Sequence, residues 1–152
     1  MNTQSSPPQG FLPFAHVSPF LESVGSFYWK GSGRELVLGV FVEERACNRR
    51  GAAHGGFLAG MADVALGYAL ATSGPDVPSM VTASLSIDYA GSAKLGDWLE
   101  SHVDIQQLGK QLGFANVYLQ VGARRIVRAS GVFARPAGGA GPKPSMAGRT
   151  SD

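Results

Sequence analysis

From position 26 to position 43 apolar and polar residues alternate in two runs separated by Gly31-Ser32-Gly33. Phe27 and Trp29 mark the first run, and Leu36, Leu38, Val40 and Val42 the second. A period of two on either side of a glycine-rich break predicts a β-hairpin. Just upstream, Ser18-Pro19-Phe20-Leu21-Glu22-Ser23 predicts a short helix, with Ser18 as N-cap, Pro19 at the first helical position and Gly25 ending it. Between positions 51 and 75 the alternation stops, and Gly, Ala, Leu, Met and Phe run through a stretch that predicts one long helix, apolar nearly all round. Such a helix is expected to be buried on most sides, with Ala59, Gly60, Ala62, Gly67 and Ala69 letting sheet backbone approach closely. Beyond Pro78 the period of two returns. Val81, Ala83, Leu85, Ile87 and Tyr89 form a dry face against the polar Thr82, Ser84, Ser86 and Asp88, and further strands are predicted over 97–107, 114–121 and 125–134. Strands, one long helix, then more strands with short connections give an α+β fold: an antiparallel sheet of about five to six strands wrapped around a central helix.

Composition narrows the class. The chain has 152 residues, 44% hydrophobic, which suits one domain with a real core. Residues 1–13 and 136–152 are polar or rich in Pro, Gly, Ser and Ala, and are expected to be disordered tails flanking a domain at 14–135. Thirteen Lys and Arg against eleven Asp and Glu give a formal charge of +2, with no basic stripe, so a nucleic-acid partner is not expected. A single cysteine, Cys47, excludes an internal disulfide and a multi-cysteine metal site, and neither metal-ligand spacing nor a P-loop or GxGxxG fingerprint occurs. A cytoplasmic setting is the default expectation, since no basic stretch followed by an apolar one opens the chain. A membrane span is rejected, because Asp63 at mid-span costs roughly 2.5 kcal/mol or more with no second span to receive it.

Asp63 is the first chemical signal. It sits within the apolar helix with no Lys or Arg three or four residues away. A carboxylate there is costly unless it is hydrogen-bonded within the core or used as a base or nucleophile. The second signal is Asn48-Arg-Arg-Gly51-Ala-Ala-His54-Gly55-Gly56, a loop entering the helix. Its glycines let a ligand approach unpaired backbone N–H groups at the positive end of the helix dipole, as an oxyanion hole requires. Gly55 and Asp63 are eight residues apart, roughly 12 Å along a helix axis, so one helix does not easily aim both at one carbonyl. Two helices antiparallel across a two-fold axis bring Gly55 of one chain near Asp63 of the other, which predicts a dimer with shared sites. His54 reads more readily as an organiser of the loop than as a base for Asp63 in the same chain. Cys47 has no activating neighbour at a fixed spacing and is assigned no role.

The pattern Asn48, Gly55, Asp63 within Asn-x-x-Gly-x-x-His-Gly-Gly and a long helix resembles the hotdog-fold acyl-CoA thioesterases of the PaaI-like branch of the 4-hydroxybenzoyl-CoA thioesterase superfamily. Val81-Thr82 and Ser92-Ala-Lys94-Leu-Gly96 extend the resemblance, which covers about residues 20–135. It implies hydrolysis of acyl-CoA thioesters to a free acid and coenzyme A, with no cofactor beyond the coenzyme A carried by the substrate. It implies further that the Gly55 N–H polarises the thioester carbonyl, Asn48 lies near the leaving sulfur or its water, Asp63 acts as general base or nucleophile, and Thr82 positions Asp63. His54 and Gly56 are expected beside the substrate, and Lys94, Lys110 and Arg135 near coenzyme A phosphates. A homodimer, paired into a dimer of dimers, goes with the resemblance. Two alternatives remain: a non-catalytic acyl-CoA binder or sensor in which Asp63 merely bonds within the core, and an acyl-thioester hydratase or dehydratase, whose catalytic His motif is not found.

Overall fold

A computed structural model describes residues 5–15 and 17–138; the rest of the expected tails, residues 1–4 and 139–152, lies outside the described residues. Seven antiparallel strands form one sheet: β1 (Leu12–Pro13), β2 (Phe27–Lys30), β3 (Val37–Phe41), β4 (Val81–Tyr89), β5 (Trp98–Leu108), β6 (Leu112–Val121) and β7 (Arg124–Ala134). They are ordered β1-β2-β3-β5-β6-β7-β4. The short helix α1 (Pro19–Val24) is capped as the sequence predicts, with Ser18 accepting from the Leu21 N–H.

The sheet begins before the expected domain boundary at Phe14, and β1 makes the strand count seven where five or six were expected. Phe11 is only 7% exposed and packs edge-on against Trp98, with ring centroids 5.0 Å apart, and this anchor lays Leu12 and Pro13 against Trp29 and Tyr28. Two residues are too few for alternation to reveal, and the anchor comes from a strand far away in the sequence.

The long helix α2 (Gly55–Ala71) is shorter than expected because its ends are fixed by side chains. His54 caps the start, and at the other end Thr72 Oγ1 donates to Tyr68 O at 2.7 Å while accepting from the Gly33 N–H at 2.7 Å. Met61, Ala62, Ala65, Leu66, Ala69 and Leu70 are buried against the sheet. The opposite stripe, Ala59, Gly60, Asp63, Val64, Gly67 and Tyr68, is only half-buried, so an all-round apolar sequence does not here mean all-round burial. The close approach of helix and sheet uses the expected Ala62 and Ala69 but not the helix glycines. Sheet glycines make room for helix leucines: a side chain on Gly131 would collide with Leu66, and one on Gly113 would press on Leu70. Gly60 instead gives way to the Phe20 ring of α1.

β4 is an edge strand, and its expected dry face is half open. Leu85 pairs with Gly131, Ile87 with Ala129 and Tyr89 with Val127, all on the helix side, whereas Ser84, Ser86 and Asp88 lie on the outer face. At Thr82 the register shifts: Thr82 pairs with Phe133 and Ser84 with Val132. This bulge takes Thr82 off the outer polar face where strict alternation puts it and turns it toward the helix.

Candidate active site

The half-open stripe of α2 meets the bulged end of β4 at Asp63. Thr82 Oγ1 donates to Asp63 Oδ1 at 2.6 Å, so the two residues that the family resemblance pairs are bonded, and the bulge brings them together. No Lys or Arg pairs with Asp63 among the described residues. The carboxylate therefore keeps its second oxygen available to a ligand. The two residues line a cleft of about 210 Å³ whose walls continue along Gly67, Tyr68, Met80 and Phe133. Gly67 and Ala71 leave room along the helix, and Tyr68 of the same helix, Met80 and Phe133 supply the large apolar or aromatic walls. Burial pushes the Tyr68 hydroxyl above the ordinary tyrosine range, so it stays protonated at neutral pH.

The second group of residues lies at the N-terminus of α2. His54 Nδ1 accepts from the Gly56 N–H at 2.9 Å, which places the proton of the neutral ring on Nε2. The structure thus puts His54 in the organising role, and the Gly56 N–H, expected to face substrate, is taken by that cap. The Gly55 N–H is bonded to nothing among the described residues. Asn48 Oδ1 accepts from the Arg50 and Ala52 N–H groups at 2.9 and 3.3 Å, so its carbonyl oxygen closes the loop. Asn48, Arg50, Gly55, Tyr89, Ser92 and Lys94 line one cleft of about 550 Å³. Lys94 is exposed there, and its N–H donates to Asp97 Oδ2 at 2.8 Å.

The remaining expected cations do not join them within one chain. Lys110 is exposed in the β5–β6 turn, and the Arg135 N–H donates to Gln111 O at 3.0 Å, so both lie at the sheet end that carries Thr82 and Phe133. The Arg135 Nε is buried without a partner among the described residues. Burial, with Glu44 nearby, pushes the Cys47 thiol up, which disfavours the thiolate and any nucleophilic role. Among the described residues no cluster of three His, Cys, Asp or Glu is placed to hold a metal ion, and no helix is long and apolar enough to cross a membrane.

Sequence reasoning missed Tyr89 and Arg50 as site residues. Tyr89 reads as one more apolar-face residue of a strand, yet its hydroxyl donates to Gly55 O at 2.8 Å, 34 residues away. No local pattern signals that meeting.

Residues 50–124 match the family model of the Thioesterase superfamily. The chain is 43% identical over 130 residues to a Pseudomonas aeruginosa protein named "Putative esterase PA0474", covering 85% of this chain and 97% of that protein. Among solved structures it is similar to a point mutant of the phenylacetic acid degradation protein PaaI from Thermus thermophilus. That likeness has a TM-score of 0.69 and 26% identity, and covers 78% of this chain and 100% of the other. A hypothetical thioesterase protein from Streptococcus pneumoniae, crystallised with coenzyme A, shares the fold at a TM-score of 0.66 and 23% identity, over 71% of this chain and 86% of that one.

Proposed function

As a member of the thioesterase superfamily, to which its family match and its 43%-identical relative assign it, this chain is a thioesterase, and we propose that it hydrolyses acyl-CoA thioesters at a site shared between two copies. The observation that carries the reading is the 2.6 Å bond from Thr82 to Asp63 on the open stripe of an otherwise apolar helix, at the mouth of a compact cleft. A structural carboxylate has no need of such an opening. The cations Arg50 and Lys94 beside the start of α2 suit a phosphate-bearing carrier, and the fold is one that holds coenzyme A in the Streptococcus pneumoniae protein.

In this reading the thioester carbonyl oxygen rests on the Gly55 N–H of one chain. Water, losing a proton to Asp63 of the other, forms the new C–O bond. Negative charge then grows on the carbonyl oxygen, where the N–H and the helix dipole favour it most. Collapse of the adduct breaks the C–S bond, and the proton on Asp63 passes to the leaving thiolate. Direct attack by Asp63 uses the same residues, with water cleaving the resulting anhydride.

The outer edge of β4 supports the pairing. It runs nine residues with no neighbour among the described strands, and Val81 and Tyr89 are 56% and 50% exposed. A long open edge of this kind is a template for a second strand. Antiparallel pairing of two β4 strands about Leu85 sets the Thr82 end of one against the Asp88–Tyr89 end of the other. Asp63 of one chain then approaches Gly55 of its partner, and Arg135 approaches the partner's loop that carries Lys94. A further pairing into a dimer of dimers is part of the same proposal.

Thiol release from acetyl, medium-chain, long-chain, phenylacetyl and hydroxybenzoyl coenzyme A thioesters tests the activity. Turnover of at least one is expected; ligand binding without turnover on any thioester sinks the reading in favour of a binder. Thr82→Val keeps the shape and deletes the hydroxyl, and is expected to lower kcat about tenfold with the fold retained, as judged by circular dichroism. Gly67 sets the width of the cleft, and a Cβ there would stand an acceptable 3.4 Å from the Phe133 ring. Gly67→Ala, which adds that one methyl, is therefore expected to cut kcat/KM for ring-bearing or medium-chain acyl groups about tenfold relative to acetyl, the value of a methyl-sized change in an apolar pocket. Equal loss on all acyl groups contradicts that placement.

A further inference from the structure

We propose that Tyr89 is a positioning residue for the thioester carbonyl: from the edge strand its hydroxyl holds the Gly55 carbonyl, and so fixes the backbone of the glycine whose N–H faces the developing oxyanion. The proposal rests on the thioesterase reading above. The Tyr89 hydroxyl donates to Gly55 O at 2.8 Å, and its ring packs on the same residue, 3.5 Å from where a Gly55 Cβ would stand.

The site needs such a restraint. Two consecutive glycines open α2, and glycine is the freest backbone in the chain, costing about 1 kcal/mol relative to alanine inside a helix. The first-turn N–H groups have no intrahelical acceptor, and the His54–Gly55 peptide that carries the Gly55 N–H is held by one helical bond, from the Leu58 N–H to His54 O at 3.0 Å. The preceding residue is well held: the His54 N–H donates to Ala46 O at 2.8 Å, and its ring caps Gly56. On the carbonyl side of Gly55, the bond from outside the helix is that of Tyr89. An oxyanion donor is effective because it is preorganised, and a loosened peptide forfeits this without losing the donor. The apolar demands of the strand are met equally by phenylalanine, so the hydroxyl is the part that calls for a reason.

Position adds a second consequence. Tyr89 ends the open edge strand and is half exposed. In the paired arrangement it stands beside the partner strand's Val81–Thr82 end. It thereby ties the carbonyl-holding end of one chain to the strand that carries the carboxylate-holding end of the other.

Tyr89→Phe in the full chain is the test. The expected result is a fall in kcat of about ten- to a hundredfold at unchanged KM and Tm, the scale of a small misplacement of a reacting group. Amide hydrogens in the first turn of α2 exchange faster, and adding Tyr89→Phe to a Gly55→Pro variant costs nothing more, because the donor it aims is already gone. A merely structural tie lowers Tm and leaves kcat alone, and that outcome overturns the proposal, as does wild-type kcat in the variant. If the wild type itself releases thiol from no thioester, the functional reading has failed. Hydrogen exchange then decides Tyr89 alone, and unchanged protection of the Gly55 region overturns its role.

Discussion

Asp63→Asn is expected to lower kcat for thioester hydrolysis by about 10²–10⁴-fold with little change in folding, the range spanned by removal of a positioned base. Asparagine keeps the size of aspartate and an oxygen that accepts from Thr82 Oγ1, so the 2.6 Å link between α2 and β4 survives the change. Asp63 pairs with no cation among the described residues, so the substitution strands no partner charge. Helix and strand therefore stay in place while the proton acceptor, or the nucleophile, is removed. Thiol release beside a thermal unfolding curve reads both effects. Full turnover in the variant assigns Asp63 to helix packing alone, and a large loss of Tm with proportionate loss of activity points the same way.

The second large effect concerns the shared site. Gly55→Pro deletes one N–H and little else. Proline is suited to the first helical position, and His54 before it already has the extended backbone, with φ −65° and ψ 139°, that a residue preceding proline requires. The added Cβ stands 3.5 Å from the Tyr89 ring, an ordinary contact distance. Loss of one oxyanion donor is expected to cost about 10²–10³-fold in kcat. Mixing this variant with Asp63→Asn by co-refolding is then decisive. Each homodimer has a defect in both of its sites, but a mixed dimer has one site with both defects and one with neither. Random pairing puts roughly half the dimers in the mixed class, so about a quarter of wild-type activity returns from two nearly inactive proteins. If each chain builds its site alone, mixing restores nothing, and the dimeric mechanism falls.

Much of this protein was legible before any coordinate. The change from a period of two to an unbroken apolar run and back placed the hairpin, the long helix and the later strands, because side-chain direction repeats every two residues in a strand and every 3.6 in a helix. Asp63 stood out because a carboxylate in such a helix is costly without a purpose, and Gly55-Gly56 after His54 stood out because a helix start leaves its N–H groups unpaired. The pairing of Thr82 with Asp63 was expected too, from the family resemblance and not from the local pattern. Alternation puts Thr82 on the outer face with Ser84, and only the bulge opposite Phe133 and Val132 turns it inward, since a bulge is set by how two strands match and not by the residues of one. The N-terminal strand, the half-open stripe of α2 and the bond from Tyr89 to Gly55 were likewise decided by packing between distant segments. Sequence by itself determined the helices and the longer strands, and which residues are chemically out of place. Tertiary structure alone decided which face of the helix stays open and which side chains reach it, because those depend on the steric fit of Gly131 and Phe133 against Leu66 and Gly67, partners that no local pattern contains.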